Sequence, residues 1–174
     1  PLNTVKLYIK DFLRYRYLLY NLISRDFKLK YRRSVLGVAW SVLNPLLMCG
    51  VMVVVFGSLF QFRGEGITNY PVYLVIGQLM FTFFRESTTM AMGSVMANAM
   101  LLRKVYIPKY VFPLEKTCFG LVNYFFSFIA LIIIMIITGS PLPPTVLLAV
   151  YPILTMFIFS LGVGLVLSTM AVFF

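Results

Sequence analysis

A chain of 174 residues that is 61% hydrophobic and only 11% charged lies far from soluble-domain composition, in which about a quarter of residues are charged. That excludes an ordinary water-soluble globular domain. The net charge of +10 does not indicate nucleic-acid binding either: nine of the 15 Lys and Arg precede Ser34 and four more lie between Arg103 and Lys116, each cluster abutting an apolar run.

From Val5 to Arg33 the apolar residues Val5, Ile9, Phe12, Leu19, Leu22, Ile23 and Phe27 recur at helical spacing. Lys6, Lys10 and Arg14 take another face, and Arg25, Lys28 and Arg32 extend the basic surface. The pattern predicts an amphipathic helix over 1–33, broken near Tyr20-Asn21, lying in the membrane interface. A second reading takes the same cations as a topogenic signal that only holds this end in the cytoplasm.

Every residue from Ser34 to Phe62 is uncharged, 29 in all. A hydrocarbon core needs only about 20, so a first transmembrane helix is predicted over 35–60. The basic residues before it mark its cytoplasmic end. Arg33, Gly37, Ser41 and Asn44 share one face, with Trp40 beside it and Pro45 one turn on, where a kink is expected. Small and polar residues on one stripe serve helix packing or line a pathway. Residues 61–69, with Gly64 and Gly66, form a short outer loop in which Arg63 and Glu65 cancel.

A second transmembrane helix is predicted over 70–100. The 18 uncharged residues from Ile67 to Phe84 barely suffice to cross, and Arg85-Glu86 precede another 16 uncharged residues. Either the span ends at Phe84 before a surface helix, or one long tilted helix holds both charges at depth; the Arg103-Lys104 pair favours the second. Adjacent helical side chains diverge by about 100°, so Arg85 and Glu86 need partners other than each other. Leu101 to Lys116, LLRKVYIPKYVFPLEK, reads as a cytoplasmic loop in which Pro108 and Pro113 limit any helix to a turn or two.

No charge occurs from Thr117 to Phe174. The outer turn Gly139-Ser140-Pro141-Leu142-Pro143-Pro144 divides this run into a third transmembrane helix over 118–138 and a fourth over 146–171. Ser160, Gly164 and Ser168 recur every four residues in the fourth, a close-packing stripe. The run stops at Phe173-Phe174 without a basic flank, as a truncated chain would. Cys49 and Cys118 differ in depth by ~20 Å and are read as packed thiols. The chain lacks His, and no Gly-x4-Gly-Lys-Ser/Thr pattern occurs, so it holds no P-loop for ATP.

Arg25 to Leu47, RDFKLKYRRSVLGVAWSVLNPLL, resembles the opening of the membrane subunits of type-2 ABC exporters, in the branch that exports O-antigen and teichoic acid. GQLMFTFFRES (Gly77 to Ser87) and the stretch from Asn98 to Pro113 look like the same family's second helix and cytoplasmic loop. The likeness spans nearly the whole chain. It departs at Arg85, where a small polar residue is expected.

The resemblance implies an all-α integral membrane domain of the bacterial cytoplasmic membrane, multi-pass, with its N-terminus inside. Four of six expected transmembrane helices would be present after the interface helix. It implies a homodimer that works with separate ABC ATPase subunits, which would bind ATP and Mg, leaving no cofactor to this chain. Arg103, Lys104, Val105, Tyr106, Ile107, Pro108 and Lys109 would contain or adjoin the coupling segment for that ATPase. Arg25, Lys28, Lys30, Arg32 and Arg33 would meet an undecaprenyl-diphosphate-linked glycan at the inner leaflet, where a diphosphate suits clustered cations. Trp40, Ser41, Asn44, Arg85 and Glu86 are the pathway or packing candidates.

Competing functions are export of another lipid or a drug, a membrane-embedded glycosyl- or acyltransferase, and an assembly subunit without transport. The transferase needs an acid/base group or nucleophile, and with no His the carboxylates of Asp11, Asp26, Glu86 and Glu115 are the few candidates near a cytoplasmic segment.

Overall fold

The computed structural model describes residues 2–32, 37, 39–55, 70–104, 106–137, 139 and 148–173, with side chains from Tyr15 onward except those of Cys49, Val53 and Pro71. Arg33, Val105, the side chain of Cys49 and all of the outer loops but Gly139 lie outside this set. Nearly all of the described residues are helical, with no strand among them: α1 (Leu2–Tyr31), α2 (Ala39–Val54), α3 (Tyr70–Ala97), α4 (Ala99–Lys104), α5 (Val111–Ile137) and α6 (Val150–Phe173). Among them α5 and α6 are long and apolar enough to cross a bilayer.

The expected break near Tyr20-Asn21 does not form; α1 runs 30 residues without interruption. No proline or glycine falls within it, and its apolar stripe keeps one helical phase, so nothing in the sequence forces a break. Leu19 and Leu22 are buried against Val95 of α3, Ile107, and Val111 and Phe112 of α5. Arg16, Tyr17, Tyr20 and Lys28 face outward.

The main packing is between α3 and the pair α5 and α6. Val75, Leu79 and Phe83 of α3 meet Tyr124, Leu131, Ile134 and Met135 of α5, with Leu46 of α2 and Ile153, Met156 and Phe157 of α6 closing the cluster. α3 continues as one helix past Arg85-Glu86 to Ala97. Two of its buried polar side chains bond within the helix: the Thr88 hydroxyl donates to the Phe84 carbonyl at 2.8 Å and Ser94 to that of Ala91 at 2.6 Å. Such back-bonding lets a hydroxyl sit in an apolar seam without a foreign partner. On α6 the buried residues are Ser160, Gly164 and Ser168, the four-residue stripe read from the sequence. A Cβ on Gly164 would lie 2.9 Å from the Cβ of Ala91, so α3 and α6 approach at backbone distance there.

The proline-limited loop is shorter than expected. α5 begins at Val111, and Pro113, Leu114, Glu115 and Lys116 are helical. Proline is tolerated in a first turn, where its missing N–H has no intrahelical partner to lose. The Lys109 carbonyl, which a residue at 113 would otherwise serve, accepts from the Phe112 N–H at 3.4 Å instead. Only the turn around Tyr106 to Tyr110 separates α4 from α5.

Candidate functional site

A cavity of about 310 Å³ opens where the end of α1 meets α2, α3 and α5. Three polar stripes converge on it. α2 supplies Trp40, Ser41 and Asn44; α3 supplies Gln78, Thr82, Arg85 and Glu86; α5 supplies Asn123, Tyr124 and Ser127. Within each set Ser41 and Asn44, Gln78, Thr82 and Arg85, and Asn123 and Ser127 recur at three or four residues, which keeps a helix's polar side chains on one face. Lys30 and Tyr31 complete the wall from α1. All five pathway candidates, Trp40, Ser41, Asn44, Arg85 and Glu86, therefore share one cavity, although they come from two helices far apart in sequence.

Hydrogen bonds fix the wall. The Tyr31 hydroxyl donates to Asn123 Oδ1 at 3.1 Å and also bonds to Ser41 Oγ. Ser127 donates to the Ser41 carbonyl at 3.4 Å, and Gln78 to Thr82 at 3.5 Å. Asn123 is buried, yet its Nδ2 finds no partner among the described residues. An unpaired buried donor on a cavity wall is costly, and a hydroxyl or carbonyl oxygen of an occupant would satisfy it. The ammonium of Lys30 stands 5.6 Å from the Tyr31 ring and 5.7 Å from the Phe119 ring, within cation–π range of both faces.

The five basic residues expected to form one diphosphate site are spread out. Lys30 reaches the cavity, while Lys28 and Arg32 are exposed on α1 and beside its end. Arg25 points instead to the junction of α3 and α4, its guanidinium donating to Asp26 at 3.0 Å and to Asn98 at 3.4 Å. Arg33 lies outside the described residues.

Asp26 anchors the seam between α1 and α5. Its carboxylate takes Arg25 on one oxygen and Lys116 of α5 on the other. Burial alone would raise its pKa, but the hydrogen bonds and charges of Lys116 and Arg25 outweigh burial and hold the carboxyl below its usual range. Lys116 also lies 3.3 Å from Glu115, whose carboxylate is fully buried with no hydrogen-bond partner on either oxygen among the described residues. This ion pair lacks the alignment of a hydrogen bond.

The coupling candidates divide in two. Tyr106 is 90% exposed, with Arg103, Lys104 and Lys109 exposed around it and Pro108 partly covered. Ile107 is only 6% exposed and packs into the α1 contact, so it faces the protein's own helix. Val105 lies outside the described residues.

Sequence reading missed Tyr31, Gln78, Thr82, Asn123 and Ser127 in the cavity wall. The signal was there for two pairs: Gln78 with Thr82, and Asn123 with Ser127, each four apart in an apolar helix. Tyr31 carried none, being one aromatic residue among many in a basic segment.

A family model described as ABC-2 type transporter matches residues 17–174. The chain is similar to an O-antigen export system permease protein, RfbA, of Klebsiella pneumoniae, 31% identical over 160 residues that cover 90% of this chain and 60% of the relative. The RfbA protein of Myxococcus xanthus is 27% identical over 168 residues, covering 95% and 63%. A capsule polysaccharide export inner-membrane protein, CtrC, of Neisseria meningitidis is 25% identical over 156 residues, covering 88% and 58%. The chain thus spans about three fifths of the length of these relatives.

Proposed function

The chain belongs to the ABC-2 type transporter family, and on that premise we propose that it is part of the transmembrane subunit of an ATP-driven exporter of lipid-linked polysaccharide. The cargo class is that named for its relatives, O-antigen or capsular polysaccharide, with teichoic acid as a further member of the class. In this reading α2, α3, α5 and α6 cross the cytoplasmic membrane, α1 lies in its inner interface, and the N-terminus is cytoplasmic. Two copies pair, and two ABC ATPase subunits bind ATP and Mg and dock at the turn after α4.

The observation that carries the proposal is the cavity. Polar and ionisable side chains are expensive inside a membrane and concentrate on pathways. Here Asn44, Gln78, Thr82, Arg85, Glu86, Asn123 and Ser127 converge on one space, with Trp40, Tyr31 and Tyr124 supplying aromatic walls. Sugar hydroxyls donate and accept, as the amide and hydroxyl lining does. Its volume lies at the lower end of small-molecule sites, about 300–1,000 Å³. One or a few sugar units at a time suit that size. In this reading Lys30, at the cavity, and Arg32, exposed beside the end of α1, would favour a lipid diphosphate at the inner leaflet.

The test is complementation together with topology. The full-length protein with its ATPase is expected to restore surface polysaccharide to a strain lacking its own exporter of that glycan. Single cysteines at Gly64 and Ser140, in a background without Cys49 and Cys118, should react with an impermeant reagent on intact cells, and Lys109→Cys should not. Labelling at Lys109→Cys inverts the topology and removes the reading.

A further inference from the structure

We propose that Lys116 is a positioning residue that exchanges carboxylate partners, Asp26 when α1 is docked and Glu115 when it is released, making α1 a two-state strap beside the cavity. One ammonium stands between two carboxylates that belong to different elements. Asp26 rides on α1, whereas Glu115 shares α5 with Lys116 itself. The contact with Glu115 at 3.3 Å therefore survives any movement of α1, and the contact with Asp26 does not.

In the docked arrangement the two acids are served unequally. Asp26 has both oxygens occupied, by Arg25 and by Lys116. Glu115 is fully buried, and neither of its oxygens has a hydrogen bond. Lys116 meets Asp26 in a hydrogen bond but Glu115 only at 3.3 Å without hydrogen-bond alignment, so in this arrangement it does not serve both acids equally. Leaving a buried charge poorly paired is unfavourable, and removing one partner from a buried pair is ordinarily severe.

Releasing α1 avoids that penalty. Asp26 leaves with Arg25 still beside it in sequence, and Lys116, already 3.3 Å from Glu115, is left with that carboxylate alone. The loss at one carboxylate is offset by the gain at the other. Two packings of similar free energy are what a switching element requires. The place of the exchange supports a function for it. Asp26 is one turn before Lys30 and Tyr31, which line the cavity, and Leu19 and Leu22 of α1 rest on Ile107, Val111 and Phe112, next to the exposed turn carrying Tyr106. A displacement of that turn biases the strap directly.

The inference goes beyond the proposed cargo, and its readout is a distance rather than transport. Spin labels at Tyr20→Cys and Phe125→Cys, both exposed positions, report the α1–α5 separation in the full-length protein with its ATPase in lipid nanodiscs, with Cys49 and Cys118 replaced. Asp26→Asn should shift the docked-to-released ratio about tenfold toward release, equivalent to about 1.4 kcal/mol. Glu115→Gln should move it in the opposite direction, and the double variant should fall between. Should both single variants loosen α1, or neither move it, the cluster is a static ion pair and the exchange is wrong. If Asp26→Asn does not assemble, the swap Asp26→Lys with Lys116→Asp decides the matter. It keeps the α1–α5 pair but places like charges side by side at 115 and 116, so α1 should stay docked; a released strap overturns the proposal. Failed complementation with opposite shifts in the two single variants would instead remove the transport reading and leave the exchange standing.

Discussion

The Tyr31 hydroxyl donates to Asn123 Oδ1 at 3.1 Å while bonding to Ser41 Oγ, so a single phenol joins α1, α2 and α5 at the cavity wall. Tyr31→Phe keeps the ring and its contact with Phe27, centroids 4.8 Å apart, but removes the oxygen both partners use. Asn123 then has neither amide atom paired, since Nδ2 is already without a partner. Leaving a buried polar group unsatisfied costs about 1–3 kcal/mol, and the variant should unfold at lower temperature in detergent by a matching amount. Adding Asn123→Leu should recover much of the loss, because removing both members of a buried pair is far milder than removing one. No recovery would mean that the hydrogen bond is not what holds this corner.

The end of α1 carries a second expectation. Arg32 is exposed beside the cavity-facing Lys30, and Arg33 follows it in sequence. If the proposed function holds, Arg32→Glu with Arg33→Glu in the full-length protein should abolish polysaccharide export while the protein still inserts, because two cations suited to a lipid diphosphate become two anions. Surface glycan and membrane fractionation measure the two effects separately. Normal export with normal insertion would reduce these arginines to a topogenic signal.

Helix packing supplies a sharper contrast. A methyl on Gly164 would meet the Cβ of Ala91 at 2.9 Å, and that atom cannot rotate away because the α3 backbone fixes it. A methyl on Gly162 meets nothing within 4 Å. Gly164→Ala forces α3 and α6 apart and should cost about 1–3 kcal/mol as overpacking. Gly162→Ala gains the usual helix preference of Ala over Gly, up to about 1 kcal/mol. Thermal unfolding of the two variants should move in opposite directions. If both stabilise, the α3–α6 approach is looser than the Ala91–Gly164 contact indicates.

These residues also mark how far the sequence could be read. Spacing alone identified Ser160, Gly164 and Ser168 as a packing stripe, because four-residue intervals are a property of one helix and need no knowledge of its neighbours. It likewise placed Ser41 and Asn44 on a common face. It could not bring that face to Gln78, Arg85 and Asn123, since which helices adjoin depends on long-range packing that no local period encodes. Pro113 misled for a related reason: proline limits a helix interior but suits a first turn, and the position of the turn is set by what Val111 and Phe112 pack against. Asp26 stood in the sequence only as one of a few carboxylates near a cytoplasmic segment. Its partner Lys116 is 90 positions away.

The turn between α4 and α5 separates two roles that adjacent residues would otherwise blur. A distant ATPase can drive transport only through a contact whose two states it biases, so a docking residue must project outward. Tyr106 does, at 90% exposure, within a rim of Arg103, Lys104 and Lys109. Ile107 turns inward, at 6%, against Leu19, Leu22, Val111 and Phe112. On the proposed function, Tyr106→Ala should therefore leave the thermal stability of the isolated protein unchanged and reduce co-purification of the ATPase and glycan-stimulated hydrolysis in proteoliposomes. Ile107→Ala should act the other way round. It empties a buried site at a cost of about 2–5 kcal/mol and frees α1, while the outward anchor stays in place. Loss of ATPase binding in Ile107→Ala at full stability, with Tyr106→Ala silent, would reverse the assignment and put the docking contact on the inward face or on α1 itself.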